Sequence, residues 1–293
     1  MSALLGGIEA GGTKFVCAVG TGPDDIRATR RIRTTTPQQT LKAAVDFFLE
    51  RPRLPEAVGI GSFGPVDLHP DSHHYGHITT TPKAGWAYTD FVRYIEQAID
   101  RPVRFDTDVN VAALGEYAWG AGRDCSVLLY LSVGTGIGGG VIVNGTPVHG
   151  QTHPEMGHLS LPRAAEDDFA GCCPYHGDCL EGLAAGPAIA KRWGRAPESL
   201  PEDHPAWALE AHYLGLTITN LILAFSPERV ILGGGIMDQQ HLFGRIRSEI
   251  HNRLNGYVSP LKDIEVLDDY IVPPALGTRV GVLGAMHLAQ SAL

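Results

Sequence analysis

The chain has 293 residues, 44% of them hydrophobic, with a formal net charge of −9. That length exceeds what one hydrophobic core usually fills, so two domains with a cleft between them are expected. The acidic balance excludes general affinity for nucleic acid or an anionic membrane, both of which need clustered Lys and Arg, and leaves small molecules as the expected partners. Met1-Ser-Ala-Leu-Leu5 lacks a basic segment, and its apolar stretch stops at Gly6-Gly7, so no signal peptide is expected. No uninterrupted apolar run reaches membrane-spanning length. The five cysteines are an odd count: Cys172, Cys173 and Cys179 crowd into one loop, while Cys17 and Cys125 sit in strand-like surroundings. That pattern predicts a metal site in a reducing cytoplasm and no disulfide framework.

In chain order, Leu4 to Gly20 reads as a hairpin about Glu9-Ala-Gly-Gly-Thr-Lys14. A helix follows over Pro37 to Glu50, then a buried strand at Ala57 to Gly61, a helix around Tyr88 to Ile99, a strand at Val103 to Asp106 and a helix over Val111 to Trp119. Val127 to Val133 leads through Gly134-Thr-Gly-Ile-Gly-Gly-Gly140 into Val141-Ile-Val143, repeating the plan of the first hairpin. The chain is then loop-rich to Asp178, helical from Gly186 and again from Pro205 to Phe225. It returns to a strand at Arg229 to Leu232 and ends in a helix over Gly281 to Ala292 that packs back on the first lobe. Strands alternating with helices predict an α/β fold.

Glycine turns let phosphate approach the backbone, and converging amides bind an anion without net positive charge. Two matched turns, Gly11-Gly12-Thr13-Lys14 and Gly134-Thr135-Gly136, therefore predict a phosphate ligand on an acidic protein, with the threonine hydroxyls and the Lys14 ammonium as further donors. Neither has the Gly-Lys-Ser/Thr of a P-loop, and neither turn opens a helix as a dinucleotide fingerprint does. Gly233-Gly234 closes a third strand and either leaves room for a base and ribose or is an ordinary turn. At the end of the Val103 strand, Asp106 and Asp108 are candidates for a catalytic base or for a helix N-cap. His158, Cys173, His176 and Cys179 have the spacing of a four-ligand structural zinc site, with one of the adjacent Cys172 and Cys173 expected to bind. His73, His74 and His77 read as a polar loop.

Four segments, Gly7-Ile-Glu-Ala-Gly-Gly-Thr-Lys-Phe15, Gly59-Ile-Gly-Ser-Phe-Gly-Pro-Val-Asp67, Asp106-Thr-Asp-Val-Asn-Val-Ala-Ala-Leu-Gly-Glu116 and Gly134 to Gly140, resemble the ROK family of sugar kinases and repressors. Thr81-Pro-Lys-Ala-Gly-Trp86 and Gly171-Cys-Cys-Pro-Tyr-His-Gly-Asp-Cys-Leu-Glu-Gly-Leu183 are similar to its fructokinase branch. The resemblance implies duplicated ribonuclease H-like (actin/hexokinase-type) α/β domains with ATP and Mg²⁺ in an interdomain cleft. It implies a smaller lobe of residues 1–112 plus 281–293 and a larger one of 113–280 with a zinc-binding loop over 151–185. It implies phosphorylation of a hexose, D-fructose foremost and glucose or mannose as alternatives, with Asp108 as general base. Gly64, Asn110, Glu155, His158 and Glu181 would contact the sugar, and Gly11 to Lys14, Gly134 to Gly136, Gly233 and Gly234 the nucleotide. Cys173 is the zinc-binding cysteine by the same resemblance, and a cytoplasmic homodimer is the implied state. Where the family's opening motif has Asp, this chain has Glu9, one methylene longer. Repressors of the family carry a DNA-binding segment ahead of the first hairpin, for which the sequence before Gly7 leaves no room.

Overall fold

The computed structural model describes residues 2–293. Two compact units form, one from residues up to Asp124 with Gly145–His153 and Ala275–Leu293, the other from Cys125–Asn144 and Pro154–Pro274. In the first, β1 (Leu5–Ala10), β2 (Lys14–Gly22) and β3 (Asp25–Arg33) form an antiparallel meander. Past α1 (Pro37–Leu49), β4 (Ala57–Ser62), the two-residue strands β5 (His77–Ile78) and β6 (Thr89–Asp90), and α2 (Phe91–Ile99), β7 (Val103–Thr107) completes a sheet of order β3-β2-β1-β4-β7. β1, β4 and β7 are parallel, so their carboxyl ends, at Ala10, Ser62 and Thr107, lie on one edge. α3 (Asp108–Trp119) leaves directly from that edge.

In the second unit β8 (Val127–Val133) and β9 (Ile137–Val143) form the second hairpin; the short β10 (Thr146–Pro147) follows in the chain. After α4 (Leu180–Ala184), α5 (Gly186–Trp193) and α6 (Ala206–Phe225), β11 (Arg229–Gly233) pairs parallel to β8. α7 (His241–Leu254) and α8 (Val266–Tyr270) lead to β12 (Ile271–Val272), parallel to β11. The order β9-β8-β11-β12 repeats β2-β1-β4-β7 with the same directions, so the second unit copies the first in topology. α9 (Val280–Gln290) lies on the first unit's sheet.

Sequence and structure differ in particular places. The helix expected from Tyr88 starts at Phe91, because Tyr88 takes φ +57° and the Asp90 side chain accepts from Arg93 N at 3.2 Å. β9 starts at Ile137, its glycines being strand residues. β3 and α7 were not predicted. β3 carries four arginines yet alternates exposed with less exposed residues; α7 buries Leu242, Phe243, Ile246, Ile250 and Leu254 at helical spacing. The expected boundary at residue 112 falls inside α3. The first unit keeps the whole helix because α9 packs on it without intervening side chains: a Cβ on Gly284 would lie 1.8 Å from Val111 O, and one on Gly115 2.9 Å from Val280 O. Helix α6 is long and apolar enough to cross a membrane, but more than half of it is buried in the protein and it contains the buried Glu210. Trp86 is fully buried, against Phe15 at 5.5 Å and Phe63 at 5.4 Å, and its indole donates to Thr35 O at 2.8 Å, which makes it a core residue.

Candidate active site

Between β1 and β2, Gly11 N donates to Lys14 O at 2.9 Å, and Thr34 braces the turn from β3's end, its N–H reaching Thr13 O at 3.0 Å and its hydroxyl Gly11 O at 2.8 Å. The N–H groups of Gly12 and Thr13 donate to no acceptor among the described residues, and a Cβ on Gly12 would meet nothing within 4 Å. Such a braced, open turn with free donors suits an anion. Glu9, two residues before it, has a buried Oε2 without a partner. Burial raises its pKa, Lys14 opposes that, and Asp108 adds to it. An unpartnered carboxylate oxygen beside an anion-binding turn is a hard donor of the kind that suits Mg²⁺.

At the end of β7 the candidates separate. Thr107 is the N-cap of α3, its Oγ1 accepting from Asn110 N at 3.1 Å, so neither aspartate serves that role. Asp106 is buried and occupied: its Oδ1 accepts from Thr107 N and from Asn110 Nδ2, both at 2.7 Å, and its Oδ2 lies 3.0 Å from His149 Nε2. That contact raises the His149 pKa. Asp108 is half-buried and its carboxylate accepts from backbone amides, that of Val109 at 2.9 Å and its own; burial outweighs both and pushes its pKa up to about 6. A carboxylate so placed takes up a proton near neutral pH, as a general base must. Asn110 is fully buried with Oδ1 unpartnered. Near β4, Gly64 precedes Pro65 through a cis peptide and faces His153, whose Nε2 accepts from Val66 N at 3.2 Å. His149 and His153 escaped sequence reasoning: lone histidines in a loop carry no spacing signal. Glu116, within the same motif, is structural, its carboxylate accepting from Ala121, Ala275 and Leu276 N.

In the second unit Gly134 N donates to Gly136 O at 2.9 Å, leaving the N–H of Thr135 and Gly136 without acceptors among the described residues. Gly233 and Gly234 are glycines for close approach: a Cβ on Gly233 would lie 2.4 Å from Tyr130 Oη, and Gly234 has φ +90° with Val133 O 2.3 Å from its Cβ position. His158, Cys173, His176 and Cys179 present ligand atoms all within 4.8 Å of one another, with His158 Nδ1 3.5 Å from Cys179 Sγ and 3.8 Å from Cys173 Sγ. Two thiols and two imidazoles at that spacing fit tetrahedral zinc. Cys172 stands outside the group. Glu155 precedes the short turn Met156–His158, whereas Glu181 Oε2 accepts from Ile137 N at 2.9 Å, which ties it to the second glycine turn.

Two topologically equivalent α/β units, each with a glycine hairpin opening its parallel strands, define the ribonuclease H-like class of actin and hexokinase. The ROK family model matches residues 5–292, and the chain belongs to that family. A fructokinase from Pediococcus pentosaceus is 46% identical over 99% of both chains. Among solved structures, a ROK hexokinase from Thermus thermophilus aligns with TM-score 0.78 and 27% identity over 98% of each chain. A ROK glucokinase from Streptomyces griseus, in complex with glucose and AMPPNP, aligns with TM-score 0.76 and 26% identity over 98% of this chain and 99% of that one.

Proposed function

We propose that this protein is an ATP-dependent hexose kinase whose acceptor is D-fructose, converted to fructose 6-phosphate. The observation that carries the acceptor is full-length identity to a fructokinase far above that to the glucokinase. For the chemistry, the half-buried Asp108 carboxylate, with a pKa of about 6, accepts the proton of the sugar's 6-hydroxyl as the hydroxyl oxygen attacks the γ-phosphorus and the bond from that phosphorus to the departing ADP breaks. Asn110 Oδ1 accepts from a sugar hydroxyl, and Gly64, Glu155, His158 and Glu181 complete sugar recognition. The first unit offers Gly11 to Lys14 to the phosphates, the second Gly134 to Gly136, with Gly233 and Gly234 towards the nucleoside. Glu9 would help hold a Mg²⁺ ion, which when bound would supply neutralisation of charge on the transferred group.

His158, Cys173, His176 and Cys179 would hold Zn²⁺, which would help order the loop of residues 151–185. His158 Nδ1 lies beside the Cys173 and Cys179 sulfurs, so Nε2 would remain for a hydroxyl. A reducing, cytoplasmic setting agrees with five free cysteines, and the homodimer implied by family resemblance is a matter for light scattering. The test of the whole reading is ADP release with Mg²⁺-ATP across fructose, mannose, glucose, N-acetylmannosamine and no sugar. Stimulation greatest with fructose is expected; no stimulation by any sugar rejects a kinase, and a preference for glucose rejects the acceptor.

A further inference from the structure

The loop that carries the zinc ligands is joined to the second glycine turn by a short covalent and hydrogen-bonded path. Cys179 immediately precedes α4, and Leu180 N donates to Leu159 O at 3.0 Å, so the ligands His158 and Cys179 flank one backbone bond. One residue further, Glu181 sends Oε2 to Ile137 N, the first amide after the turn. The carboxylate fills the space over Gly136, where a Cβ would lie 2.6 Å from Oε2. At the turn's other end Gly134 O accepts from Gly186 N at 2.8 Å, and Ala185 N donates back to Glu181 O at 3.1 Å. The turn is thus held at both ends by the segment Glu181 to Gly186, whose start is pinned by two metal ligands. Glu181 Oε1 makes no hydrogen bond among the described residues.

We infer that Glu181 is a positioning residue for the donor phosphates, and that through it zinc occupancy and nucleotide binding are linked. A metal that fixes Cys179 and His158 fixes the start of α4 and hence the carboxylate that aligns the Gly134–Gly136 amides. Reciprocity then requires bound nucleotide to retain the metal. The inference rests on the kinase reading and on zinc in the four-ligand site. It adds a role for Glu181 beyond sugar recognition, one that operates with no sugar present.

The experiment follows zinc transfer from the purified zinc-loaded protein to a chromophoric chelator, with and without AMPPNP and no sugar, in the native chain, Glu181→Ala and Glu181→Gln. Mg²⁺ is present at the same concentration in every arm, so that the nucleotide binds as its Mg²⁺ complex and only the zinc signal differs. AMPPNP is expected to slow release about fivefold or more in the native chain, the lower range of ordinary coupling between sites. Glu181→Gln, whose amide oxygen still accepts from Ile137 N, should retain most of the effect, and Glu181→Ala should lose it while binding zinc in equal amount. Equal slowing in the native chain and Glu181→Ala, or none in a native chain that calorimetry shows to bind AMPPNP, overturns the linkage and leaves the kinase reading standing. Absence of AMPPNP binding to the native chain overturns both.

Discussion

The Asn110 side chain donates from Nδ2 to Asp106 Oδ1 at 2.7 Å, and this contact decides which way the amide faces. A carboxylate cannot donate, so Nδ2 must lie on its side and Oδ1 is left as a buried acceptor without a partner. His149 Nε2, 3.0 Å from the other Asp106 oxygen and 3.3 Å from Asn110 Nδ2, closes the same cluster. Asn110 is thus prepared to accept from a hydroxyl, and removing either Asn110 or its orienting partner should show in acceptor binding.

Asn110→Ala is expected to raise KM for fructose by about tenfold or more, since an interaction with a buried polar group is worth about 1–3 kcal/mol. Asp106→Asn, which lets the amide face either way, should do so by a smaller factor. In both, KM for ATP should stay near the native value. Steady-state kinetics in each substrate decides this, and equal increases for the two substrates would contradict it.

Asp108→Asn should lower kcat by about 10²- to 10⁴-fold, the usual worth of a general base, with little change in sugar affinity measured by calorimetry. In the native chain kcat should rise with pH through about 6 as Asp108 loses its proton. Near-normal turnover in the variant would remove Asp108 from the chemistry.

The same carboxylate has a signature in stability. Its folded pKa, about 6, is above the ordinary 3.8, so between these values the folded state holds the extra proton and stability falls as pH rises across that window. The cost, roughly 2–3 kcal/mol at full size, is absent below pH 3.8 and complete above pH 6. Asp108→Asn, which never ionises, should therefore gain in Tm relative to the native chain from pH 4 to pH 7. A constant Tm difference across that range would mean that the group is not buried as described.

Gly284→Ala tests the packing of α9 on α3. Its new methyl group would lie 1.8 Å from Val111 O, and backbone cannot yield as a side-chain tip does. A loss of about 3 kcal/mol or more by denaturant titration is expected, at the upper end for overpacking. Gly12→Ala, with nothing within 4 Å of its Cβ, should leave stability nearly unchanged.

Stripping zinc, or Cys173→Ser, should expose the turn from Cys173 to Cys179 to limited proteolysis, because the ligand group ties that turn to His158. Cys172→Ser should not, since that thiol lies outside the ligand group. Mass spectrometry of the fragments distinguishes the two.

Periodicity and glycine placement made both hairpins, most strands and the long helices legible, because each is decided by neighbours in sequence: a turn needs its glycines locally, and a buried helix shows its face every three or four residues. β3 was hidden by its four arginines, which read as a solvated run until pairing with β2 supplied the alternation. Spacing alone left Asp106 and Asp108 both open, and family resemblance singled out Asp108. They differ only because His149, some 40 residues on, reaches Asp106, and because Thr107 takes the cap and leaves Asp108 without that task. Glu181 shows the same limit: its spacing from Cys179 is a sequence property, whereas its bond to Ile137, 44 residues away, is not.

The sequence by itself thus determined the chemical inventory: two phosphate-type turns, a carboxylate at a strand end and a four-ligand set, each built from residues close along the chain. Family resemblance already pointed to Asp108 and Cys173; only the tertiary structure decided what Asp106 is bound to, which way Asn110 faces and what Glu181 touches. Hydrogen bonds and burial act over a few ångströms in space, and the partners that settle these questions lie tens of residues apart in sequence.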